Sequence, residues 1–159
     1  MAPTSKAAFR SSYPCELLTR QVARVLLSVK RVRRIGAQTL GPRAEQCVYA
    51  RGRYKAVPQV GLLIFSDERL YGEDSFAQVQ RRIARTPTRG GTAYRVLSGL
   101  GERAFIVSYG RHHSEVAVMQ EGRAYTLTLR LKQKPRTVAP PLAELERAAR
   151  RISAQFEPR

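Results

Sequence analysis

The sequence has no tryptophan, two cysteines, two histidines and only 12 acidic residues among its 159. No apolar run approaches the roughly 18 residues that a membrane-crossing helix requires, so nothing in it reads as a span. The shortage of ligating side chains narrows the chemistry further. A zinc site takes three or four protein ligands, and beyond the cysteines the only soft donors are the neighbours His112 and His113. Adjacent residues on a strand point to opposite faces, so these two are poorly placed to share an ion. The cysteines lack the close C-x-x-C spacing of a redox pair. A Gly-x-Ser-x-Gly elbow is absent, and Ser98-Gly99-Leu100-Gly101 has neither the spacing nor the lysine of a phosphate loop. Asp67-Glu68 and Glu73-Asp74 fall at a loop and a helix start, where capping and the helix dipole account for carboxylates. The sequence therefore assigns no catalytic residue, metal or cofactor, and the chain reads as non-enzymatic.

Lysine is scarce too. Of 29 basic residues only five are Lys, the rest Arg, and the net charge is +17. Such a balance points to a polyanionic partner: nucleic acid, an anionic membrane or an acidic wall polymer. Arginine spread diffusely over the whole surface accounts for it somewhat better, since the arginines are scattered through every segment and not massed in one tail. The turn Arg51-Gly52-Arg53-Tyr54-Lys55 is the best single candidate for an anion contact, and Arg111, in a second expected turn, is a further candidate. Ribonucleoprotein aromatic motifs and zinc-finger spacings are missing, which makes nucleic acid the second choice.

Hydrophobic residues make up 43% of the chain, a globular value, and the length suits one domain. Residues 1–12 carry two basic residues but no apolar core, so they do not read as a signal peptide. They are expected to form a flexible segment ahead of a single α+β domain over 13–159. From Cys15 to about Val29, apolar residues at helical spacing predict one helix. Gly36, Gly41 and Pro42 punctuate the next stretch. Strands are predicted over Gln46–Arg51 and Val60–Phe65, the second so apolar that both its faces should be buried. A helix starting at Gly72–Ser75 carries Phe76, Val79 and Ile83. One strand follows, either at Tyr94–Val96 or resuming at Ala104–Tyr109, then Glu115–Met119 and Arg123–Lys132. The last alternates Tyr125, Leu127 and Leu129 with Thr126, Thr128 and Arg130, giving one buried and one wet face. Glu121-Gly122 is a tight hairpin turn. A final helix runs from about Pro141 to Phe156. The expected architecture is an antiparallel sheet of about five strands with three helices, in the order α-β-β-α-β-β-β-α.

Cys15 opens the first helix and Cys47 lies in the first strand, an arrangement that suits a single structural disulfide. Two buried free thiols in a cytosolic protein is the alternative. A disulfide implies an oxidising compartment.

Three words in the chain carry a resemblance: Pro14-Cys15-Glu16-Leu17-Leu18-Thr19, Gln46-Cys47-Val48-Tyr49 and Gly99-Leu100-Gly101-Glu102-Arg103-Ala104-Phe105. They resemble secreted lipoprotein and sensor-type domains of unknown function common in actinobacteria, and the layout is similar to the extracytoplasmic sensor domains of some mycobacterial kinases. The resemblance covers about residues 13–156. It implies an extracytoplasmic binding or accessory module of the cell envelope, a Cys15–Cys47 pairing, and a ligand held between sheet and helices. The chain departs from the pattern in lacking a signal and a lipid-attachment cysteine, and in its basicity.

Overall fold

A computed structural model describes residues 13–39, 43–51, 58–71, 76–85, 93–109, 112–131 and 142–156. The segment 1–12 lies outside them. Seven strands form one antiparallel sheet: β1 (Arg33–Thr39), β2 (Ala44–Ala50), β3 (Gln59–Phe65), β4 (Ala93–Val96), β5 (Arg103–Tyr109), β6 (His113–Gln120) and β7 (Arg123–Arg130). Their spatial order is β1-β2-β3-β7-β6-β5-β4. The helices are α1 (Tyr13–Leu17), α2 (Arg20–Leu27), α3 (Phe76–Arg85) and α4 (Leu142–Gln155), with a 3₁₀ turn at Glu68–Tyr71.

The α+β class and antiparallel sheet are as expected, but there are seven strands and four helices rather than five and three. The predicted first helix is two. Thr19 leaves the helical region at φ −79°, ψ 163°, and its Oγ1 accepts a hydrogen bond from the Val22 amide at 3.3 Å. A threonine gains more as a cap than inside a helix, because its hydroxyl satisfies an otherwise orphaned N–H. The Gly36 region is not a loop but β1, paired with β2 along its length apart from a register shift between Arg34 and Gly36. Tyr94–Val96 and 103–109 are two strands, not one. Strand β3 is not buried on both faces: Val60, Leu62 and Ile64 are inside, whereas Gly61, Leu63 and Phe65 are only half-buried.

Helices cover both faces. Under α1, α2 and α4 lies the main core, where Leu18, Leu62, Leu127 and Leu145 are fully buried. On the other face Phe76 of α3 packs against Phe105, Val107, Ala117 and Ala124. Cys15 and Cys47 are joined, with Cα atoms 5.2 Å apart, tying α1 to β2.

The Gly99–Ala104 word is a structural lock. Gly99 and Gly101 have φ of +68° and +59°, Leu100 between them is buried, and the Glu102 N–H donates to the Met119 carbonyl at 2.8 Å. The Glu102 carboxylate accepts from the Glu121 N–H at 2.9 Å, and Glu121-Gly122 is the expected tight turn, both residues at positive φ. From α4, Arg150 donates to the Ser98 carbonyl at 3.0 Å. One short loop thus holds two hairpins and a helix in register.

Candidate functional site

Strand pairing sorts the charge. At one end of the sheet, register aligns Arg33 with Ala50, Ala50 with Gln59, Gln59 with Arg130, and Arg130 with His113. Three strand spacings of about 4.8 Å place Arg33 and Arg130 roughly 15 Å apart. Lys30 and Arg31 lead into this end, Arg34 is the next strand residue, and Arg51 follows β2 directly. These six basic residues, Lys30, Arg31, Arg33, Arg34, Arg51 and Arg130, are all exposed. Among the described residues none of the six ion-pairs with a carboxylate.

The opposite end is mixed. Arg43, Arg69, Arg103 and Arg123 share it with Glu45, Asp67, Glu68, Glu102 and Glu121. There Arg69 pairs with Asp67 at 2.7 Å, and that hydrogen bond holds the Asp67 carboxyl down to about 2. Arg123 lies 3.7 Å from Glu121 and 4.1 Å from the centre of the Phe156 ring. Among the described residues, then, the two ends of the sheet differ in charge: bases without a carboxylate ion pair gather at one, and bases mixed with carboxylates at the other.

Of the residues singled out from sequence, Arg51 belongs to this basic end, its N–H donating to the Pro58 carbonyl at 3.4 Å. Arg53, Lys55 and Arg111 lie outside the described residues. Arg33, Arg34 and Arg130 were missed because they come together only through strand register. The polar half of the β7 alternation was the one signal that could have pointed to Arg130.

Beside the basic end, on the half-buried face of β2, β3 and β7, Gln46, Gln59, Gly61, Thr126, Thr128 and Arg130, with the apolar Val48, Leu62 and Leu63, line a shallow cavity of about 280 Å³. The predicted wet face of β7 is graded rather than uniform: Thr126 is buried, Thr128 half-buried and Arg130 exposed. Glu115 sits next to Thr128 across the β6–β7 ladder and accepts a hydrogen bond from the Tyr71 hydroxyl at 3.1 Å. Burial raises the Glu115 carboxyl above its usual range, outweighing the lowering effects of the Tyr71 bond and the Arg130 charge. Burial, reinforced by the Glu115 charge, also pushes the Tyr71 hydroxyl far up. His113, expected in a loop, instead begins β6 with its ring 5.2 Å from that of Tyr109. Burial first, then the Arg130 charge, lowers its affinity for a proton.

Glu115 gives a pH signature. A carboxyl whose folded pKa is raised binds more protons in the native state than in the unfolded one. Its contribution to stability is therefore complete below the unfolded value and lost as pH rises toward the folded one. Glu115→Gln keeps an acceptor for Tyr71 and removes the titration. Urea unfolding should show the variant more stable than the parent at pH 7, with the difference vanishing near pH 4. A constant difference at both pH values would contradict this.

Among the described residues no group of three or more His, Cys, Asp or Glu is placed to hold a metal ion, and no helix is long and apolar enough to cross a membrane. No protein-family profile matches the chain, and no curated protein or solved structure matches it.

Proposed function

We propose that the chain is an exported, non-catalytic binding or accessory module of the bacterial cell envelope, which engages an anionic partner through the basic end of its sheet. The observation that carries the reading is the segregation of charge: six uncompensated bases at one end against four bases and five carboxylates at the other. Clustered cations attract a polyanion far more than the same number dispersed. The disulfide supports export, since such bonds persist in oxidising compartments.

A matched pair of variants tests the anion site. Arg33, Arg34, Arg51 and Arg130 are changed together to Gln in one. Arg20, Arg81, Arg85 and Arg151, exposed elsewhere, are changed in the other. Binding to dextran sulfate at low salt should fall at least about tenfold in the first and stay within about twofold in the second, although both lose the same charge. Equal losses would mean that no end of the molecule is special.

The alternative is a cytosolic nucleic-acid-associated protein, favoured by the arginine richness of the same end, since guanidinium groups suit phosphate. Alkylation of the native, aerobically purified protein without reductant separates the two. Export predicts that neither cysteine is modified. Modification of both, with sub-micromolar and steeply salt-dependent binding to mixed-sequence DNA, would replace the envelope reading by this one.

A further inference from the structure

Gly61 occupies the middle of a central strand, where glycine weakens a sheet unless something requires it. Three structural requirements are absent. Strand β3 pairs without a bulge on both sides, Val48–Gly61 on one and Gly61–Thr128 on the other. Gly61 is not among the glycines at positive φ. A Cβ built there would lie 3.4 Å from Val48 Cγ2 and 3.6 Å from the Cys47 carbonyl, which is ordinary contact. A strand glycine is also found where a ligand or another backbone approaches closely. Gly61 lies on the sheet floor of the cavity beside the basic end, next to Val48.

The chemistry around that floor is ordered. Arg130 is the one charged residue lining the cavity, on the side of the basic end, while the rest of the lining is uncharged: amides from Gln46 and Gln59, hydroxyls from Thr126 and Thr128, and the apolar Val48, Leu62 and Leu63. Amides and hydroxyls each donate and accept hydrogen bonds. Their complement is a body studded with groups that do the same, joined to an anion that meets Arg130. At about 280 Å³ the cavity is near the small end of ligand sites, sized for a ring-sized unit and not for an elongated apolar chain.

Building on the reading of the basic end as an anion site, we propose that the open face of β2, β3 and β7 binds one unit of an acidic polysaccharide. Its carboxylate rests on Arg130 and its ring hydroxyls rest on Thr128 and Gln59, over Gly61. The neighbouring carboxylates of the chain continue along Arg51, Arg33 and Arg34. Charge complementarity selects a polymer bearing repeated anions, because bases recur along the end of the sheet, Arg33 on β1, Arg51 just after β2 and Arg130 on β7.

Calorimetry with a galacturonic acid hexamer and its fully methyl-esterified form tests the assignment. The free acid should bind and the ester should bind at least about tenfold more weakly. Gly61→Ala adds one methyl to the floor. It should leave the thermal midpoint unchanged or raise it, yet weaken hexamer binding about tenfold. Thr128→Val, which keeps shape and charge, should also weaken it about tenfold through the lost hydrogen bond, with an unaltered salt dependence. Arg33→Gln/Arg34→Gln/Arg51→Gln should weaken binding and flatten the salt dependence. If Gly61→Ala and Thr128→Val bind the hexamer as the parent does, or the parent binds dextran sulfate but not the hexamer, the saccharide assignment fails while the anion site stands. If the three-arginine variant binds every polyanion as the parent does, the basic end itself is not an anion site.

Discussion

Replacing Cys15 and Cys47 together by alanine is expected to lower stability by roughly 3–4 kcal/mol, the loop entropy released by opening a cross-link of sequence separation 32. For a chain of this size that corresponds to a fall of roughly 6–16 °C in thermal midpoint. The estimate has local support. Helix α1 has five residues, too few to persist unaided, and it carries the buried Tyr13 and Leu17 into the main core. Untethered, α1 has only the packing of Tyr13, Pro14 and Leu17 to hold it on the sheet, and Cys47, fully buried, leaves a small void when truncated. Urea unfolding of the oxidised parent, the reduced parent and the double variant measures the effect. The reduced parent should fall close to the variant. A loss below about 1 kcal/mol would show that the packing of α1 suffices by itself.

Gly101→Ala is expected to cost roughly 2–5 kcal/mol. The backbone there has φ of +59°, and an added Cβ would sit 2.4 Å from the Met119 carbonyl oxygen and 2.8 Å from Val118 Cγ1. Left-handed geometry costs an alanine about 1–2 kcal/mol, and crowding of well-packed groups adds about 1–3 kcal/mol. The obstacle is backbone in an adjacent strand, so relief requires the β5–β6 pairing to open. Gly99→Ala is the internal control: its φ is +68°, but the nearest atom to an added Cβ is Arg150 Nη1 at 3.9 Å. It should show only the conformational part, about 1–2 kcal/mol. Equal effects of the two substitutions, read from denaturation midpoints, would contradict the close approach at Met119.

These two sites lie in the words that carried the family resemblance, and both are scaffold. Thr19 in the first word is a helix cap, Cys15 and Cys47 are joined, and the glycines of the third word turn a corner. Only the second word reaches the candidate site, through Gln46 on the face opposite Cys47 and Tyr49. Local signals were legible: helical stripes, the Glu121-Gly122 turn, the alternation of β7. Strand β1 was not, because Arg33-Arg34-Ile35-Gly36 has no apolar alternation and Ile35 is 40% exposed. That segment is a strand because β2 offers it hydrogen bonds, which is a property of the neighbour and not of its own residues. The break between β4 and β5 was hidden for a related reason, since the intervening loop buries Leu97 and Leu100 and so looks as apolar as a strand. The basic end could not be read from any single segment: its members lie up to 100 positions apart (Lys30 to Arg130) and meet only through register.

Both lateral borders of the sheet are blunted. Strand β1 carries Arg33, Arg34 and an irregularity before Gly36 on one border. On the other, β4 has four residues and Arg95, whose guanidinium lies 2.9 Å from Glu146 of α4. Charges, bulges and brevity are the means by which sheets resist recruiting a foreign strand. Among the described residues, such borders disfavour extension of the ladder by a foreign strand. Arg33 and Arg34 place charge on the β1 border as well as in the proposed anion site, so glutamine, rather than an apolar replacement, keeps that border polar in the very variants that test the proposal.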